Sequence, residues 1–375
     1  MRLEELTLKD YRNYDDLHLA FPKSLNIFLG ENAQGKTNIL EAIYVLAMSK
    51  SHRTHNEKEL IAWQKEYSQV KGVVKKATGL LPLEVQLSKK GRKTKVNYLE
   101  QKKLSDYIGH LNVILFAPED LSLVKGGPAV RRRFIDMELG QISPKYLYEL
   151  VRYNQLLKQR NAYLKQLAEK KATDELYLDV LTEQFVASGV EILLARYGFL
   201  QKLEGWSQKL HHEITHEKET LTFHYQGSLP TTATMTKEEL ATLFTAQLTK
   251  KRPQEIFRGT TLVGPHRDDL LFLINDKDVQ TYGSQGQQRT TALSVKLAEI
   301  DLIHEEIGEY PILLLDDVMS ELDDQRQLHL LETIEGKVQT FLTTTTLTHL
   351  QEHLTVTPAI FQVAHGTIER QGETL

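Results

Sequence analysis

Eight consecutive residues constrain this chain more than any other stretch. Gly30-Glu31-Asn32-Ala33-Gln34-Gly35-Lys36-Thr37 is a complete G-x-x-x-x-G-K-[ST] phosphate loop. Such a loop works only as the joint between a buried strand and a helix, and both flanks comply. Residues 24–29 predict a short buried strand. Residues 36–48 predict a helix with Ile39, Leu40, Ile43, Leu46 and Ala47 spaced by threes and fours. Gly30 and Gly35 let the backbone curl so that its N–H groups face phosphate oxygens, and the positive end of the helix adds to them. Lys36 is expected to reach the β- and γ-phosphates, and the Thr37 hydroxyl to hold Mg²⁺. The chain therefore reads as a binder of a nucleoside triphosphate, ATP, with its magnesium ion.

Two further segments complete the constellation. Far downstream, Pro311-Ile312-Leu313-Leu314-Leu315-Asp316-Asp317 is an aliphatic run of the kind buried on both faces of a parallel sheet, and it ends in two acids. Asp316 is expected to bind Mg²⁺ through water, and Asp317 to polarise an attacking water. Just before this run stands Ser284-Gln285-Gly286-Gln287, opening an expected helix over 287–307. There a serine hydroxyl, a glycine permitting close backbone approach and a helix N-terminus together favour an anion.

Phosphate loop, Ser-x-Gly-Gln element and acidic strand occur in the order found in ABC-type ATPases. More narrowly, the chain resembles the RecF family of bacterial recombinational-repair ATPases, relatives of the SMC head domains. The matching stretches are Tyr11-Arg12-Asn13-Tyr14, Gly30 to Ala42, Phe116 to Leu121, Arg131 to Asp136, Gly264 to Leu270, Ser284 to Gln287 and Leu315 to Asp323, spread over essentially the whole length. The resemblance implies an α/β fold: an ABC-type P-loop core, SMC-head-like, with an inserted helical lobe. It implies that Ser284, Gly286 and Gln287 contact the γ-phosphate held by a second subunit, so that ATP closes a homodimer. It also implies a slow, DNA-stimulated ATPase that acts as a switch in SOS-linked repair and replication restart. Such a protein binds single-stranded and gapped duplex DNA and helps the mediator proteins RecR and RecO load the recombinase. Three positions depart from the general ABC pattern. Asp317 stands where glutamate is usual, Gln285 replaces the first glycine of Ser-Gly-Gly-Gln, and no switch histidine follows the expected strand 338–342, His349 coming late.

Composition narrows the remaining classes. The chain has 375 residues, enough for two lobes, and no cysteine, which excludes disulfides, thiolate metal sites and cysteine catalysis. With no apolar stretch of membrane-spanning length and no signal peptide, it reads as cytoplasmic. A net charge of −4 requires any nucleic-acid contact to use local patches. Periodicity divides the chain into 1–125 (short alternating strands and the phosphate-loop helix), 126–255 (a mainly helical insertion) and 256–375 (the rest of the core). Within the insertion, Glu169-Lys170-Lys171 and the region of Gly205 are expected to break the helical pattern. The heptads of a long coiled coil are absent.

Other motifs compete for attention. His212-Glu213-Ile214-Thr215-His216 is a literal H-E-x-x-H, the zinc-protease pattern. Yet Thr220 to Tyr225 alternates like a strand, so the helix must end near His216 and leave the pair little scaffold. Lys89, Arg92, Lys93 and Lys95 mark a hairpin tip, and Arg131 and Arg132 open the helical lobe; each set is either a DNA contact or ordinary charge pairing. His266-Arg267-Asp268-Asp269 is a polar turn for which an interlobe ion-pair cluster and a DNA contact both stand. Two rival functions remain: an ATP-binding recruitment scaffold with incidental hydrolysis, and the ATPase subunit of a transporter, which would need a membrane partner.

Overall fold

The computed structural model describes residues 1–230, 235–347 and 356–370. The chain forms two compact units, Met1–Asp120 with Val295–Leu375, and Leu121–Ser294.

The first unit is built on two six-stranded sheets. One is antiparallel, in the order Tyr14–Ala20, Arg2–Tyr11, Tyr67–Lys76, Gly79–Ser88, Gly91–Val96, Leu99–Glu100. The other runs Thr367–Arg370, Ala359–Ala364, Leu25–Leu29, Thr340–Thr344, Ile312–Asp316, Val113–Phe116, and is parallel except for the hairpin at its first edge. Its central strands are buried throughout except at Leu29, as parallel strands covered on both faces must be. The helix Lys36–Met48 keeps the expected bounds but is buried almost all round, from Ile39 to Met48, because it contacts strands of both sheets. The strand after the acid pair is Thr340–Thr344, two residues later than expected, so Thr343 lies inside the sheet.

The second unit packs the helices Pro128–Ile142, Pro144–Ala168, Glu175–Ile214 and Lys237–Arg258 with a three-stranded sheet ordered Lys277–Asp278, Asp269–Ile274, Leu221–Gln226. The break at Glu169 occurs as expected, with Lys170 left-handed at φ 57°. The break at Gly205 does not. The helix Glu175–Ile214 runs unbroken for 40 residues. A glycine costs a helix about 1 kcal/mol, whereas buried Leu193, Phe199, Leu200, Leu203 and Leu210 carry one apolar face through the region. The insertion also extends to Ser294 rather than 255. The reason is a β-ladder: Asp269–Ile274 pairs antiparallel with Leu221–Gln226 and ties the following segment to the helices.

Candidate nucleotide site and signature segment

The phosphate loop leaves the sheet at Leu29 and is shaped by contacts that admit only glycine at its two ends. A Cβ on Gly30 would lie 2.4 Å from the Val363 carbonyl oxygen. Gly35 has φ 114°, and a Cβ there would meet Asn13 Nδ2 and Tyr14 Oη, both at 2.7 Å. Those two residues belong to the Tyr11-to-Tyr14 turn, which braces the loop: Tyr14 Oη donates to the Gly35 carbonyl at 3.1 Å, and Asn38 Nδ2 donates to Asn13 Oδ1 at 2.7 Å. Gln34 Oε1 accepts the His365 N–H at 2.7 Å. Beneath the loop, fully buried Glu41 accepts two hydrogen bonds from Arg12, at 2.7 and 2.8 Å, and one from Ser51 at 2.6 Å. Burial alone would raise the Glu41 carboxyl, but these donors hold it below its ordinary value.

Lys36 is 8% exposed, and its ammonium donates to the Gly30 and Glu31 carbonyls at 2.5 and 2.7 Å. Burial pulls its pKa down while Asp317 and Asp316 push the other way. A γ-phosphate would replace those two carbonyls as its partner. Thr37 Oγ1 donates to Asp316 Oδ1 at 3.0 Å, which joins the loop to the end of the Ile312–Asp316 strand. Burial raises the Asp316 carboxyl, against the donors Thr343 and Thr37. A hydroxyl and a buried carboxylate side by side are a hard-oxygen pair that suits Mg²⁺.

Thr343 belongs to none of the motifs. Its hydroxyl donates to the Asp316 carboxylate at 2.9 Å and accepts the Asp317 backbone N–H at 2.9 Å, so one side chain fixes the first acid and the backbone of the second. Asp317 itself is exposed and left-handed at φ 53°. His349 lies outside the described residues.

In the second unit the helix opens at Gln285, two residues earlier than expected. Ser284 and Gln287 cap it reciprocally: Gln287 N–H donates to Ser284 Oγ at 3.2 Å, and Ser284 N–H to Gln287 Oε1 at 2.8 Å. Gln287 Nε2 then donates to Glu219 at 2.9 Å. The other Glu219 oxygen meets buried His211 at 3.1 Å, and His211 meets Ser294 at 3.3 Å. Glu219 and His211 flank the H-E-x-x-H motif, whose own residues do something else. His212 contacts Thr220 Oγ1 at 3.3 Å, while His216 lies past the helix end at φ 51°. Among the described residues no three His, Cys, Asp or Glu groups gather as a metal site.

The basic candidates separate. Arg131 is 3% exposed and bonds Asp269 through two nitrogens, at 2.7 and 2.8 Å, which removes it from any DNA-facing surface. Arg132 donates to the Asp268 carbonyl at 2.6 Å. Arg92 bonds the Ser49 carbonyl and Glu57, Lys95 pairs with Glu84 at 2.9 Å, and Lys93 reaches Glu100 at 3.5 Å on the surface. Lys89 is exposed at the hairpin turn. The polar turn at 266–269 is internal to its own unit. His266 meets Tyr153 Oη at 2.7 Å, and Asp268 accepts from Tyr225 at 2.8 Å and from the Ser228 N–H at 2.7 Å.

Comparison with known proteins matches residues 2–369 to the family model "RecF/RecN/SMC N terminal domain". The DNA replication and repair protein RecF of Enterococcus faecalis is 66% identical over 375 residues, covering 100% of both chains. The chain belongs to the RecF family. RecF of Bacillus subtilis is 55% identical over 368 residues, covering 98% of this chain and 100% of the relative. Among solved structures, the recombination mediator RecF with ATPrS aligns at TM-score 0.92 and 34% identity, covering 99% of this chain and 98% of the other. RecF with ATP aligns at 0.90 and 34%, covering 99% and 97%. An Smc head bound to a domain of ScpA aligns at 0.56 and 14% identity over 99% and 97%, a likeness of fold alone. The RecF fold is thus an SMC-head-like ABC ATPase core, and no described helix is long and apolar enough to cross a membrane.

Proposed function

We propose that this RecF-family chain is an ATP-switched DNA clamp of replication and recombinational repair. The observation that carries the reading is the Thr37–Asp316 pair at 3.0 Å, which assembles the loop and acidic strand of a P-loop ATPase in one unit. Thr37 and Asp316 would hold Mg²⁺, which when bound neutralises charge on the β- and γ-phosphate oxygens. Gly30 to Gly35 present backbone N–H groups, Lys36 exchanges its carbonyl partners for phosphate, and Asp317 orients water. The pre-capped Ser284–Gln287 segment is offered to the nucleotide of a second copy. ATP bound by both faces stabilises the dimer by linkage, and hydrolysis releases it. The short Asp317 carboxylate suits slow turnover. Contact with single-stranded and gapped DNA, recruitment of RecR and RecO, an SOS-linked role and a cytoplasmic location belong to the same proposal.

The test is ATP turnover by the purified protein with and without gapped duplex DNA, with Lys36→Arg as the blank. Stimulation by DNA that the variant lacks supports the clamp. Turnover that DNA leaves unchanged sinks it in favour of a nucleotide-binding scaffold, whose partners should co-purify with Lys36→Arg as well as with the unaltered chain.

A further inference from the structure

The segment between the phosphate-loop helix and the Tyr67–Lys76 strand leaves Trp63 93% exposed. The turn that carries it is fixed. Ala62 N–H donates to the Asp10 carbonyl at 2.9 Å, Lys65 N–H to the Ala62 carbonyl at 3.1 Å, and Ile61 bridges to Tyr11. The indole edges a concavity of 390 Å³ bordered by Arg12, Lys58, Lys65 and Lys89 against one acid, Glu59. Arg12 is engaged by Glu41, and Lys65 by Asp10 at 2.6 Å. Lys58 and Lys89 have no ion-pair partner among the described residues. An exposed flat ring beside uncompensated cations is the chemistry that holds a strand of nucleic acid, base on ring and phosphate on ammonium. A mononucleotide fits less well, because its phosphates are claimed by Gly30 to Thr37, and the positive edge continues from Lys89 to exposed Lys90. An acidic peptide would satisfy the lysines, but a nucleic-acid strand carries a π face beside every phosphate.

We propose that Trp63, flanked by Lys58 and Lys89, is a stacking platform for an unpaired base of single-stranded DNA. The proposal rests on the DNA-binding reading above. The chain has two tryptophans, so Trp206→Phe leaves Trp63 as the sole indole reporter. That variant would be titrated with oligo(dT) of about 15 nucleotides, with ATP alone and with polyglutamate. The expected result is quenching by oligo(dT) only. In the otherwise unaltered chain, Trp63→Ala should weaken oligo(dT) binding about 5- to 100-fold, and Trp63→Phe should retain most of it. Lys58→Ala and Lys89→Ala should each lower the log–log salt slope by about 0.7. Undiminished oligo(dT) binding by Trp63→Ala overturns the platform while leaving DNA binding intact. Quenching by ATP alone reassigns the indole to the nucleotide's own base, and quenching by polyglutamate reassigns it to an acidic protein; either overturns the proposal. If the unaltered chain binds no oligo(dT), duplex or gapped DNA, the DNA-binding reading fails with it.

Discussion

Arg160 shows what single residues contribute that no motif announces. It is 1% exposed, and its guanidinium is divided among Thr182 at 3.1 Å, Thr261 at 2.8 Å and fully buried Glu255 at 2.7 Å, whose other oxygen accepts the Leu262 N–H. The arginine lies on the same helix stripe as buried Leu156 and Leu164, and nothing along the chain announces its partners, which lie far away in sequence. Removing one member of a buried pair strands the other charge, so Glu255→Ala should cost about 3–5 kcal/mol of stability, and replacing both partners with apolar residues much less. Urea denaturation followed by circular dichroism would measure both, and a double replacement as costly as Glu255→Ala would overturn the stranded-charge account. The phosphate loop, by contrast, was legible residue by residue. Its chemistry is backbone chemistry within eight positions, and the glycines stand where a Cβ would strike Val363, Asn13 or Tyr14.

Elements were legible where their determinants are local. The helix Lys36–Met48 begins at the loop's last glycine and ends at left-handed Ser49, and its bounds matched the periodicity. The helix Glu175–Ile214 reads as broken in the sequence because glycine is a local signal, whereas the apolar face that overrides it is tertiary. The helix opening at Gln285 is the intermediate case. Its serine cap was visible, but the Glu219–His211 pair that fixes Gln287 comes from a different element. Glu219→Ala removes a hydrogen bond to a carboxylate, of the kind worth about 1.5–3 kcal/mol, and frees the Gln287 amide. The expected outcome is ATP-dependent dimerisation weakened about 10- to 100-fold, with ATP binding to the phosphate loop unchanged, as read by sedimentation and by nucleotide titration. Unaltered dimerisation would mean that the segment needs no support from Glu219.

At the scale of the molecule, the fold class was readable because three motifs in a fixed order admit few arrangements, while the limits of the insertion were not, since the ladder between Leu221–Gln226 and Asp269–Ile274 joins segments far apart in the chain. Each unit also holds a histidine forced to stay neutral. Burial lowers His52 to about 4 in the first unit and His266 to about 4 in the second. Around His52, Glu41 and Glu119 oppose the shift and Arg53 and Arg12 assist it; around His266, the Thr261 carbonyl opposes it and Arg267, Arg132 and Arg160 assist it. Both folded values lie below the ordinary 6.5 of an unfolded histidine, so between those values the unfolded chain binds more protons and stability falls as pH falls. The contribution is fully present above about pH 6.5 and is lost by about pH 4. Asp120 and Asp316, raised by burial, act with the opposite sign, so the whole-protein slope alone is not diagnostic. The histidine part is isolated by comparing thermal midpoints from pH 7.5 to about 4.5 in the unaltered chain, His52→Gln and His266→Gln. Each variant should lose stability at pH 7.5, where its packing is disturbed, yet show a shallower decline toward acid. A variant whose midpoint tracks the parent in parallel across the whole range would show that its histidine already carries the same proton in the folded and unfolded states.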